Sequence, residues 1–112
     1  MPNPTADLNL IEVPYASGAI RHRFAVAPNA DGTSWVRHGL FVAYSETGVV
    51  LSEGSYVHGK EHGLWRDYHP NGQLAAEGQY VHGNEEGLWR FWNEQGAEER
   101  PTEYERGQER AA

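Results

Sequence analysis

Apolar residues in this chain come in short bursts separated by glycines. Runs such as GLWRDY and QLAAEGQYV are bounded by glycine at both ends. None sustains the three-and-four spacing of an amphipathic helix, whereas short segments rich in Tyr, Trp and Val predict β-strands. The intervening turns share one chemistry: Ser45-Glu46-Thr47-Gly48, His69-Pro70-Asn71-Gly72 and Asn93-Glu94-Gln95-Gly96. Ser or Asn at the first place, Pro at the second and Gly at the fourth suit a type I turn closed by a left-handed glycine bulge. Thr47 and Gln95 at the third place argue against the mirror-image type I′ turn, which needs positive φ there. The predicted elements are β-hairpins.

The hairpins repeat. Cut at Gly39, Gly63 and Gly87, the chain gives three 24-residue segments that align without a gap. The first two agree at 11 of 24 positions and the last two at 8, where ordinary residue usage gives about two. A degenerate copy precedes them over 15–38, with Tyr15, Gly18 and Ile20 in the places of Tyr44, Gly48 and Val50 and a longer turn at 28–33. Repeating hairpins make an antiparallel meander. The predicted fold is all-β: an elongated, twisted single-layer sheet of seven or eight strands over 15–107. Residues 1–14 form an N-terminal segment whose stretch NLIEVPY is placed to fold over one face, and 108–112 a frayed tail.

The turn type also fixes an expected register. With His69 opposite Gln73 and Tyr68 opposite Leu74, Leu64 falls opposite Gly78. One face then carries Leu64, Tyr68, Leu74 and Ala76, with Leu40, Tyr44, Leu88 and Trp92 in neighbouring columns. The other carries Trp65 between Phe41 and Trp89, beside Asp67, Ala75 and Glu77. A single layer cannot cover two aromatic columns, which leaves three resolutions: NLIEVPY over one face, a twist that curls one face into a groove packing its own aromatics against the glycines, or a partner over the rest. Phe41, Trp65, Trp89, Phe91 and Trp92 are therefore the candidate partner-binding residues, with the last aromatic-rich hairpin the first choice. The competing reading is that these rings only hold adjacent hairpins together. Pro101, in the place of Glu53 and Glu77, suits an edge strand and blunts it against further strand addition.

Composition narrows the function. A formal net charge of −7 with a single lysine, Lys60, and scattered arginines argues against nucleic acid and against an anionic membrane surface. There is no cysteine, hence no disulfide and no thiolate chemistry. No apolar run reaches the roughly 18 residues of a membrane span, and the first ten residues lack a signal-peptide profile. The expectation is a soluble, cytoplasmic protein.

One motif points elsewhere. His58, Glu61 and His62 spell H-x-x-E-H, the signature of one class of zinc peptidase. That motif needs a helix to bring residues four apart onto one ion, and here Gly59 and Gly63 put it in a turn. The next copy reads HGNEE, with Glu86 in place of His62. The motif is better explained as the overlap of two repeat columns, His58 with His82 and His38 with His62. Asp67 and Glu77 as an acid–base pair, and the serines without a G-x-S-x-G context, carry no stronger claim. No metal, cofactor or catalytic residue is expected.

The spacing Tyr-x-x-Gly-x-x-x-Gly, at Tyr56, Gly59 and Gly63 and again at Tyr80, Gly83 and Gly87, resembles MORN repeats (membrane occupation and recognition nexus), in particular the bacterial variant described as antitoxin-like. The resemblance spans 39–107, and 15–38 more weakly. It implies a twisted single-layer sheet acting as a scaffold or binding surface for another protein, not an enzyme, with an antitoxin or immunity role as one version. The alternative it implies is a peripheral phospholipid-associated scaffold, against which the acidic charge weighs. An open sheet with two edges also allows homodimers through edge pairing.

Overall fold

The computed structural model describes residues 9–110 as ten strands in one open antiparallel sheet. They are β1 (Asn9–Pro14), β2 (Ile20–Pro28), β3 (Trp35–Tyr44), β4 (Val50–Val57), β5 (Lys60–Glu61), β6 (Gly63–Tyr68), β7 (Leu74–Val81), β8 (Asn84–Phe91), β9 (Thr102–Glu105) and β10 (Gln108–Glu109). Strand order follows chain order, with β5 continuing the pairing of β6 along β4. The meander read from the repeats is the fold.

Two turn types alternate. At Ser45, His69 and Asn93 the N–H of the glycine three residues on donates back to the first carbonyl, at 2.9–3.0 Å. Gly48, Gly72 and Gly96 have φ of 87–90°, which makes these the expected type I turns with a glycine bulge. The second turn is different. His58-Gly59, His82-Gly83 and Arg106-Gly107 all have positive φ (48° and 83°, 49° and 84°, 52° and 82°), so these are two-residue type I′ hairpins.

The register departs from expectation by one residue. Tyr68 faces Leu74, but a bulge follows; Trp65 then faces Gly78, and Leu64 faces Gln79. The same irregularity occurs opposite Ile20 in β2 and opposite Val50 in β4, leaving Arg21, Leu51 and Ala75 as the extra residues. Because side chains alternate with period two, this slip exchanges faces. Ala76 moves to the Trp65 side. Glu77 leaves that side and forms an ion pair with Arg66, at 2.7 Å.

A second, larger bulge sits where each repeat begins. Between Phe24↔Phe41 and Val26↔Arg37, and between Glu77↔Arg90 and Gln79↔Glu86, one strand advances two residues while its partner advances four. β4 meets β5 and β6 with the same excess of two, three residues against five, between Tyr56↔Glu61 and Glu53↔Arg66. Gly39, Gly63 and Gly87 take φ of 99°, 90° and 78° there, a conformation that glycine adopts without steric cost. The copy over 15–38 thus keeps this device despite its degenerate sequence. Its first turn is shifted: the hydrogen bonds put Tyr15 in the place of Ser45, not of Tyr44.

Both ends differ from the sequence reading. β1 pairs with β2 as an edge strand with every residue exposed, so NLIEVPY extends the sheet and covers neither face. The expected fray at 108–112 is incorrect over Gln108 and Glu109, which pair with Glu105 and Tyr104; the last two residues lie outside those described. Pro101 immediately precedes β9, which lies between β8 and β10. It shortens that strand to four residues and is not on the outermost one.

Candidate functional site

On one face the aromatic residues bury each other. Phe41, Trp65 and Trp89 are 8%, 6% and 5% exposed, with Phe24, Tyr56, Tyr80, Phe91 and Tyr104 packed around them. The rings run in a zigzag along the sheet: Tyr56 meets Trp65 edge-on at 5.4 Å and 84°, and Tyr80 meets Trp89 at 5.1 Å and 81°. Edge-to-face contacts place the positive rim of one ring on the negative face of the next. The Arg37 guanidinium caps this row, 4.6–5.4 Å from the Phe24, Phe41 and Tyr56 rings.

Glycine lets a single layer bury a tryptophan. A Cβ on Gly54 would fall inside the Trp65 indole, and one on Gly78 inside the Trp89 indole. Each indole lies flat on the preceding strand. Its N–H donates to that strand's carbonyl: Trp65 Nε1 to Ser55 O at 3.0 Å, and Trp89 Nε1 to Gln79 O at 3.2 Å. Ser55 O accepts the His62 N–H as well, at 2.9 Å, so the indole shares a carbonyl that is already paired. Phe24 and Thr102 occupy the flanking positions, beside Phe41 and Trp89.

Burial has electrostatic effects on this face. It pushes the Tyr80 phenol up to about 12, aided by the carboxylates of Glu85 and Glu61. It holds His22, packed 5.4 Å from the Phe41 ring, below the ordinary imidazole value, with Arg21 and Arg37 adding to the effect. Asp67 also lies here and accepts a hydrogen bond from Ser52 Oγ at 2.7 Å. Glu77 is on the opposite face, so the two carboxylates do not form a pair.

The opposite face keeps its apolar row open. Leu40, Leu64 and Leu88 are 54%, 42% and 57% exposed, one per repeat, and equivalent strands two apart are separated by roughly 9.6 Å. A ladder of charge lies beside them. Glu53 pairs across to Arg66, Arg66 to Glu77, and Glu77 to Arg90, with an Arg90–Glu98 ion pair at the end. Tyr68 donates to Glu53; burial and that hydrogen bond push its phenol up to about 12. Trp92 lies under the Arg90 guanidinium, 5.0 Å away. Leu40, Leu64, Glu53, Ser55 and Arg66 line a shallow groove.

Of the five proposed contact residues, Phe41, Trp65 and Trp89 are core and Phe91 packs against them; Trp92 is half-buried on the leucine face. The exposed leucine row was placed on its correct face by the alternation but not singled out. Trp35, 55% exposed at the end of the β2–β3 hairpin, was missed because it lies outside the 24-residue pattern.

His58 and His62 do not face each other. The His58 ring packs on His38, with centroids 4.8 Å apart, and the His62 ring on His82, at 5.3 Å. Among the described residues no group of three or more His, Asp or Glu is placed to hold a metal ion. The local cause is the type I′ turn between them, which sends the two side chains to different neighbours.

Fold and faces define a class: an open sheet of β-hairpin repeats, one face sealed by its own rings and the other carrying a regular apolar row. Residues 37–58 and 61–82 each match the family model described as MORN repeat variant, so these two segments are similar to MORN repeats. Such repeats are generally protein- or membrane-interaction modules and typically non-enzymatic. The third copy, with Gly87, Trp89 and the Arg106-Gly107 turn, reproduces their geometry outside the matched segments. No curated protein and no solved structure matches the chain.

Proposed function

We propose that this chain is a non-enzymatic interaction module that binds another protein across the leucine face. The supporting observation is the asymmetry between faces: Trp65 and Trp89 are 6% and 5% exposed, while Leu40, Leu64 and Leu88 keep 42–57%. The apolar area of the first set is already used within the chain; that of the second is free. The fitting partner presents an apolar stripe recurring about every 9.6 Å, flanked by groups that match the Glu–Arg ladder. An antitoxin or immunity role is one version of this reading, supported by the family resemblance alone. The acidic charge, −7, favours a protein over an anionic lipid surface.

The test is affinity capture with wild type and with L40S/L64S/L88S, followed by direct titration of whatever purified protein is recovered. The expected result is tight binding by wild type and at least tenfold weaker binding by the triple variant at an unchanged unfolding midpoint. Equal binding by both would move the contact surface off the leucine face. Co-sedimentation with anionic phospholipid vesicles, expected to be absent, would replace this reading with a membrane scaffold.

A further inference from the structure

The type I′ turns are fastened by the side chain of the preceding repeat, and the fastener differs between copies. The N–H of His58 donates to Nδ1 of His38, at 3.0 Å, and the N–H of His82 to Nδ1 of His62, at 3.4 Å. At the third turn the N–H of Arg106 donates to Oε2 of Glu86, at 2.9 Å. These are equivalent contacts, each spanning 20 residues. In each case the donor belongs to a non-glycine residue at positive φ, an uncommon conformation for a side-chain-bearing residue.

We propose that His38 and His62 are acid-labile latches, which release the His58 and His82 turns when their rings take up a proton, while Glu86 keeps the third turn closed. An imidazole that accepts at Nδ1 must be the neutral tautomer with its proton on Nε2. Protonation turns Nδ1 into a donor facing another donor, so the contact is lost and repulsion replaces it. The ring packed against each latch, tilted by 42° and 45°, is also an imidazole, and two cations at that separation oppose each other.

The surroundings do not compensate for this charge. Among the described residues no carboxylate lies within ion-pair distance of any of the four rings. Arg37, next to His38, is turned onto the aromatic face. Lys60 and Glu61 of β5 lie beside Gly83; Glu85 and Glu86 of β8 lie beside Tyr80 and the Arg106 turn. The consequence is a sheet whose first two repeat junctions loosen in mild acid and whose last does not.

The experiment follows the backbone amide protons of His58, His82 and Arg106 by NMR from pH 8 to 5. The His58 and His82 signals are expected to move together with the His38 and His62 ring titrations, and Arg106 to stay in place. In H38E/H62E, which copies the third turn, both amides are expected to stay in place to pH 5. H38Q/H62Q, with an uncharged acceptor, serves the same purpose if the glutamates disturb folding. Wild-type amides that do not respond, or variant amides that still move with the His58 and His82 rings, would overturn the proposal. His22 does not confuse the reading, since it lies against Phe41 and touches neither turn.

Discussion

Gly54 and Gly78 are required by what lies over them, not by their own backbone angles. Neither adopts positive φ, yet a methyl group at either position would occupy the space of an indole. Gly78→Ala is therefore expected to destabilise the fold by about 1–3 kcal/mol, the usual cost of overpacking. Trp89→Ala is expected to cost about 3–5 kcal/mol. The double variant should cost clearly less than the sum, because the alanine methyl has no ring to meet once Trp89 is gone. Urea midpoints at constant m-value give all three numbers; strict additivity would show that the glycine and the ring are independent.

Two half-buried phenols make a pH prediction at the same scale. Tyr68 and Tyr80 are both pushed up to about 12, against about 10 in the unfolded chain. A raised folded value means that the native state holds these protons more tightly. That contribution is fully present below about pH 10 and lost as pH climbs through the folded values. Phenolate absorbance should show two tyrosines titrating late, coincident with alkaline unfolding, and F variants at each position should remove one each.

For elements, the type I′ turns are the sharpest constraint. His82 has φ of 49°, so His82→Gly should hold or raise the unfolding midpoint, whereas His82→Val should lower stability by about 1–2 kcal/mol. Equal effects would show that the turn relaxes to another type. The sequence disclosed the hairpins, their first turn type and the 24-residue period because those are written in local chemistry: glycine at the fourth place, Pro70, and the recurring tyrosines. It did not disclose the bulges at Arg21, Leu51 and Ala75. Nothing in VVLSEG or QLAAEG breaks the alternation, and the slip arises from the pairing itself. That single residue moved Ala76 and Glu77 between faces and hid the Glu77–Arg66 ion pair. The burial of the tryptophans was equally hard to read, since it depends on Gly54 and Gly78 in a neighbouring strand.

As a whole molecule, this is a slab with extents of 46 × 37 × 24 Å, in which each hairpin touches only its neighbours. Nearest-neighbour coupling predicts graded opening. Hydrogen exchange should be slowest in β6–β8, where Trp65 and Trp89 are clamped, and fastest in β1 and β10, which carry no buried residue. Uniform protection across the sheet would indicate a single cooperative unit.

The way each indole lies on the strand before it gives the sheet a direction of growth, like shingles on a roof. Every unit brings a ring for the unit behind it and a bare glycine for the unit ahead. Excising residues 63–86 would lay Trp89 on Gly54, a seat of the same shape, and the shortened chain should still fold. A unit inserted after Thr102 would find a threonine where its indole must lie, and would not seat. The chain thus tolerates changes of length only at the joints where a glycine waits, a rule that circular dichroism on the deletion and insertion variants can check.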